Sequence, residues 1–149
     1  MSEPKSFSIE VRGLKALIEK LGAATAQETI EQPFFRGVVN MADWSVNNRL
    51  TGPRPKFLGV KSGRLRSSIS VSRGADRSLT FFIGTNVEYA RIHEFGFSGL
   101  QTVLSKKGLS FQRFMKMPKR PFLIPAVNQE NIDVITKLIN TAIEKAMSK

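Results

Sequence analysis

Apolar and polar positions alternate over Phe7, Ile9 and Val11 against Ser6, Ser8, Glu10 and Arg12. After Gly13 the period changes, and Leu14, Leu17, Ile18 and Leu21 recur at helical spacing. The first pattern predicts a half-buried strand and the second a helix that follows directly. Gly22 is a place for that helix to be interrupted, and residues 23–30 favour helix again. Pro33 disfavours helical geometry at Gln32, so the reading is a break or kink there. A second helical segment then runs from Pro33 towards Leu50, with Phe34, Val38, Met41 and Ala42 on its buried face. Trp44 reads as a partly buried anchor rather than a ligand platform.

Thr51-Gly52-Pro53-Arg54-Pro55-Lys56 defeats both helix and central strand and reads as a basic loop. Leu65 to Ser72 alternates, most cleanly from Ser68 onward. Gly74-Ala75-Asp76-Arg77 supplies turn chemistry, and Leu79 to Ile83 returns as the partner strand of a hairpin. Gly84 follows as a turn position that a side chain would hinder. One short helical turn comes next, with Tyr89, Ile92 and Phe95 on one face, and Gly96 stops it. Residues 96–110 hold Gly96, Gly99, Gly108 and three serines without a sustained period, which reads as a long mobile loop of the kind that is functional or orders on binding. Ser110 to Met117 can form one more strand, which Pro118 and Pro121 confine to an edge or end. Pro121-Phe122-Leu123-Ile124-Pro125 reads as a stiff extended connector, with Phe122 and Leu123 packed on the core. Ile132, Ile135, Leu138, Ile139, Ala142, Ile143 and Ala146 mark a long amphipathic helix from about Asn128, with Lys145 and Lys149 at its C-terminal end. The order is β-α-α-β-β-(short α)-β-α. It predicts an α+β fold, a small antiparallel or mixed sheet packed by helices on one face, as a single domain over residues 1–149.

Composition narrows the classes. A chain of 149 residues with 41% apolar content is near the usual size of one domain and long enough to bury a core. No apolar run approaches the length of a membrane span, so no membrane partner is expected. The N-terminus carries no apolar signal region, so the expectation is a protein made and kept in a cytoplasm. With no cysteine and one histidine, disulfides, thiol chemistry and Cys- or His-rich metal sites are not expected, nor is any cofactor. Charge is the unusual property: 23 basic against 12 acidic residues, a net charge of +11. No acid falls between Asp43 and Asp76, where Arg49, Arg54, Lys56, Lys61, Arg64, Arg66 and Arg73 lie. None falls between Glu94 and Glu130 either, where Lys106, Lys107, Arg113, Lys116, Lys119 and Arg120 lie. Such a field attracts polyanions, whether DNA or an acidic protein surface, or else simply solvates loops. The candidate interface residues are accordingly Arg54, Lys56, Lys61, Lys106, Lys107 and Arg113, on two mobile basic loops at about 51–64 and 96–110.

Candidate chemistry is thin. His93 beside Glu94 invites an enzymatic reading, but neighbours on a helix point about 100° apart, and the zincin pattern needs a second histidine at position 97, which is Phe97. The residue pair reads as structural, with His93 at a helix C-terminus and Glu94 paired with a nearby arginine. No nucleophile elbow and no Walker-type glycine loop is present, so no catalytic residue is assigned. Gly96-Phe97-Ser98-Gly99 matches the Gly-x-x-Gly of KH domains, and with the basic charge it makes a nucleic-acid-binding module the rival reading.

Four blocks in matching order carry a resemblance. They are Ser62-Gly63-Arg64-Leu65-Arg66-Ser67-Ser68-Ile69, Ile83-Gly84-Thr85-Asn86, Tyr89-Ala90-Arg91-Ile92-His93-Glu94-Phe95-Gly96, and Met117-Pro118-Lys119-Arg120-Pro121-Phe122-Leu123. Over roughly residues 60–147 the chain resembles the phage virion morphogenesis family, tail-completion or neck proteins of long-tailed phages and prophages. The resemblance makes Gly63, Leu65, Gly84, Thr85, Tyr89, Ala90, His93, Glu94, Gly96, Pro118, Arg120, Pro121 and Phe122 the structural motif residues. It implies the same kind of α+β fold and a non-enzymatic structural protein of the virion, assembled in the host cytoplasm and located at the head-tail junction or proximal tail end. It further implies a homo-oligomeric ring, six-fold to match a tail tube. The implied partners are tail-tube or terminator and head-connector proteins, with DNA passing through the channel. Whether the basic loops meet protein or DNA stays open at this point. The sequence departs from the family pattern at 51–61 and between Gly96 and Met117.

Overall fold

The computed structural model of the chain describes residues 14–53, 57–58, 62–74, 79–105, 108 and 110–148. The strand expected over Phe7 to Val11 lies outside these residues, as do the turn residues 75–77. Helix α1 (Leu14–Leu21) leads through Gly22, whose φ of 82° suits glycine, into the long helix α2 (Ala23–Ser45). A π-helical turn (Val46–Leu50) and a short helix α3 (Arg64–Ser68) precede a hairpin of β1 (Ser70–Arg73) and β2 (Phe81–Gly84). Then come α4 (Ala90–Phe95), a second hairpin of β3 (Phe97–Leu104) and β4 (Ser110–Met117), a 3-10 turn (Ile124–Ala126) and α5 (Gln129–Met147). The fold is α+β, with two separate two-stranded antiparallel sheets. No helix among the described residues is long and apolar enough to cross a membrane.

Three expectations change. Pro33 does not break the helix: α2 runs through it, although its missing N–H leaves the Thr29 carbonyl without its helical donor. Ala26, Ile30, Val38, Met41, Ala42 and Ser45 are buried along one continuous face on both sides of Pro33, with Phe34 half-buried between them. That shared burial outweighs the roughly 3 kcal/mol local cost of the proline. Residues 64–68 are helical rather than part of a strand, so β1 begins only at Ser70. Residues 97–104, expected as loop, form strand β3, because an uncharged, proline-free run of Phe, Leu, Thr and Val suits a pleated backbone despite Gly99.

The larger core lies where α2 meets α5. Ala26, Ile30, Val38, Met41, Ala126, Ile135, Ile139 and Ile143 are buried together, and Val71, Phe81 and Ile83 of the first sheet close it on one face. Ile135, Ile139 and Ile143 follow at four-residue spacing, which makes a single stripe down α5. Gly37 sets the helix approach, since a Cβ there would come within 2.6 Å of Ile135 Cγ1. Phe34 meets Phe81 edge-on at 5.1 Å between ring centres, and Arg73 pairs with Glu31 at 2.6 Å across the sheet-helix seam. Asn128 caps α5 by accepting the Asn131 N–H at 2.9 Å, as a side-chain oxygen at that position should. Lys20 donates to the Met147 carbonyl at 2.7 Å, a cation at the C-terminal end of α5.

A smaller core gathers Leu50, Leu58, Leu65, Val87, Ala90 and Phe122. The π-helical turn delivers Leu50 to it, while Trp44, half-buried as expected, is covered by the Arg49 guanidinium at 5.6 Å. This second core is the platform on which the candidate site is built.

Candidate functional site: a rooted hairpin

The site begins with local turn chemistry. Gly63 takes a left-handed φ of 74° and starts α3, so that Leu65 enters the smaller core. From α3 a chain of hydrogen bonds runs to the next motif block. The Val87 N–H donates to Thr85 Oγ1 (3.2 Å), Thr85 Oγ1 lies 2.6 Å from Ser68 Oγ, and Ser68 Oγ donates to the Leu65 carbonyl (2.8 Å). Because each hydroxyl has one proton, Thr85 is the donor to Ser68. Gly84 ends β2, yet its φ is not positive and a Cβ there would meet nothing within 4 Å. The turn freedom expected of it is therefore not required.

Helix α4 then presents Ala90 and Glu94, four residues apart, to the interior. The face that carries Tyr89, Ile92 and Phe95 is the outer one: Tyr89 is 38% and Phe95 53% exposed, and Ile92 is half-buried. The reason is what waits on the inner side, a row of backbone donors rather than an apolar surface. Glu94 Oε2 accepts the N–H groups of Phe122 (2.8 Å) and Leu123 (3.1 Å), and Oε1 accepts that of Ile124 (2.8 Å). These N–H groups enter the 3-10 turn and have no partner within it, so a carboxylate meets the need that every helical N-terminus creates. Glu94 is the only charged side chain buried among the described residues, and these donors, rather than the arginine expected from sequence, offset its burial. The 121–125 segment is correspondingly a turn and not an extended connector, with Leu123 in helical geometry. From the opposite side Ser45 Oγ, fully buried on α2, donates to the Phe122 carbonyl at 2.5 Å. Phe122 is thus held at its N–H, its carbonyl and its ring.

The same block fixes the base of the second hairpin. The Arg120 N–H donates to the His93 carbonyl at 2.6 Å, and the Gly96 N–H to the Ile92 carbonyl at 2.8 Å. Gly96 has a φ of 76°, and a Cβ on it would sit 3.0 Å from the Lys119 nitrogen and 3.1 Å from the Met117 carbonyl oxygen. Glycine is required there twice over, by conformation and by space. The chain leaves for β3 at Gly96 and returns from β4 through Pro118 to Arg120, and Gly96 and Arg120 are both bonded to α4. Tyr89 packs edge-on to His93 at 5.8 Å on the outside of this root.

Beyond the root the two strands of the ribbon pair only with each other among the described residues. Phe97 pairs with Met117 and Leu104 with Ser110, and the Gly108 N–H donates to the Ser105 carbonyl at 3.0 Å near the tip. The described packing of this hairpin on the larger cores is slight: none of its side chains belongs to either buried cluster. Leu100 and Phe114, direct cross-strand partners, are 65% and 62% exposed, and Leu104 on the same face is 74% exposed. Phe111, paired with Val103 on the other face, is 49% exposed. A two-stranded ribbon with apolar side chains open to water is at best marginally stable unless something packs on it.

Of the motif residues that the resemblance implied, the structure brings Gly63, Leu65, Thr85, Ala90, His93, Glu94, Gly96, Arg120 and Phe122 into one assembly. Tyr89 lies at its rim, Pro118 is exposed at the hairpin base and Pro121 is half-buried before Phe122. Of the candidate interface cations, Arg113 is exposed in β4 opposite Gln101; Arg54, Lys56, Lys61, Lys106 and Lys107 lie outside the described residues. The Gly96-Phe97-Ser98-Gly99 sequence leads from α4 into β3 and not between two helices, so it is not the KH arrangement. Ser45 was missed because nothing local distinguishes a serine that bonds 77 residues away. The ribbon was missed because its glycines read as loop, although the alternation of Phe111, Arg113, Met115 and Met117 with their neighbours already marked its return strand.

Neither the curated proteins nor the solved structures contain a match to this chain. The model of one family, described as the phage virion morphogenesis family, matches residues 43–144, from the end of α2 to the last turns of α5. The match covers more than half of the chain and contains the whole root and ribbon, and the chain belongs to the phage virion morphogenesis family.

Proposed function

We propose that the protein is a structural subunit of the head-tail junction, completing the proximal end of the tail or forming part of the neck, and that its copies close a ring, six-fold to match a tail tube. Membership of a virion morphogenesis family supports a structural role in phage assembly. The observation that carries the finer reading is the rooted ribbon. The chemistry of an enzyme would gather polar groups in a cleft, whereas here the buried carboxylate accepts three backbone N–H groups and ties α4 to the segment just after the apolar arm. Such an arm suits a part that is added to a large assembly and becomes covered there. Rings follow from head-to-tail contacts between identical copies whose rotation closes. Electron microscopy of particles made without this protein tests the reading. The expected result is full heads and tails that are not joined, or tails of irregular length; normal joined particles would refute it. Light scattering of the purified protein, alone and with tails lacking it, then reads the ring number.

A further inference from the structure

The ribbon β3–β4 shows what kind of surface covers it. Three of its properties have to be matched together. It exposes Leu100, Phe114 and Leu104 on one face. Strand β3, Phe97–Leu104, contains no charge and no proline and pairs only with β4 among the described residues, which leaves an unguarded edge of eight residues. Its cations among the described residues, Arg113 and Lys116, are exposed on β4, and the sequence has no acid from Phe95 to Gln129.

DNA matches only the last property. Phosphates would balance Arg113 and Lys116 but would leave three large apolar side chains in water, and DNA offers no backbone to pair with the β3 edge. A second copy of this chain matches poorly as well. One open groove, between α2 and α5, exposes Phe35 and Val134 but is rimmed by Arg36, Lys137 and Lys145, with no acid in its lining; another, beside α4, sets Arg91 next to Glu88, and a third, which holds Asp133 and Glu144, has no large apolar residue. Seating the cationic ribbon between α2 and α5 would set like charges against one another. We infer that the ribbon docks on a different protein, through a surface that is apolar at its centre, acidic at its margin and able to add a backbone strand to the β3 edge. This inference rests on the virion reading above and names the partner class for that arm.

Site-specific photo-cross-linking during assembly tests it. The codon for Phe114 is replaced so that p-benzoylphenylalanine is incorporated, the variant is supplied to a prophage lacking its own copy, and purified particles are irradiated and analysed by mass spectrometry. The same label at Leu100 provides a second position should the first variant fail to fold. The expected result is a shift of the protein to a one-to-one adduct with a different virion protein, cross-linked at a peptide carrying Asp or Glu beside apolar residues. Adducts with a second copy of this chain, with DNA, with a peptide devoid of acids, or no adduct in particles that contain the labelled protein, would each overturn the inference while leaving the head-tail reading intact. Absence of the unlabelled parent from purified particles would instead remove the head-tail reading, and the inference with it.

Discussion

Replacing Glu94 with alanine removes the acceptor for three backbone N–H groups at once. The Phe122 N–H sits in a residue only 1% exposed, so leaving it without an acceptor costs about 1–3 kcal/mol. Leu123 and Ile124 are half-buried, and an opening lined by Val87, Ala90, Phe122 and Leu123 lets water replace part of the lost bonding. Each of these two therefore adds roughly 0.5–1 kcal/mol, for a total of about 2–5 kcal/mol against the 5–15 kcal/mol typical of a whole domain. Glu94→Gln separates charge from shape: it keeps the length, but its NH2 must face N–H donors at one of the two oxygen positions, so a loss of about 1–3 kcal/mol is expected. In urea, with a slope of about 2 kcal/mol per molar, the alanine variant's midpoint should fall by about 1–2.5 M and the glutamine variant's by less. An alanine variant within about 0.5 kcal/mol of the parent would refute the view that Glu94 holds the root.

Other substitutions probe the same framework. Gly96→Ala forces a side chain into a left-handed backbone against Lys119 and Met117; a loss of about 1–3 kcal/mol is expected, read in calorimetry as a Tm lower by roughly 3–10 °C. Ser45→Ala leaves the Phe122 carbonyl without its side-chain donor and should cost about 1–3 kcal/mol, while Ser45→Thr tests whether the fully buried site has room for a methyl. Ile135→Ala, at the centre of the α2–α5 contact, should cost about 2–5 kcal/mol in the same denaturation assay; a loss below 1 kcal/mol would show that the two helices do not form the main core.

The fold was legible where a periodic face was long or a turn residue was chemically forced. The stripe of Ile135, Ile139 and Ile143, the helix start near Asn128, the return strand Ser110–Met117 and the stop at Gly96 all follow from residues that act within one or two turns of chain. Pro33 misled because its local cost is visible in the sequence, whereas the α5 surface that compensates it lies about a hundred residues away. The partner of Glu94 was misread in the same way. The sequence suggested a nearby arginine, but what the carboxylate meets is the bare backbone of 122–124, and backbone donors leave no mark in a side-chain pattern. The motif residues themselves could be read as a set; that Glu94, Gly96 and Phe122 form the socket of a projecting ribbon could not.

The central claim is that this ribbon is the docking arm of a virion part, and its exposed face can be changed without touching the root. Leu100→Ser combined with Phe114→Ser, both on residues more than 60% exposed, should leave the unfolding free energy of the purified protein in urea within about 0.5 kcal/mol of the parent. The same double variant, supplied to a phage lacking its own copy, should yield heads and tails that stay apart in electron micrographs and few infectious particles. Joined particles at the parental titre, made with a variant whose ribbon face is polar, would contradict the account.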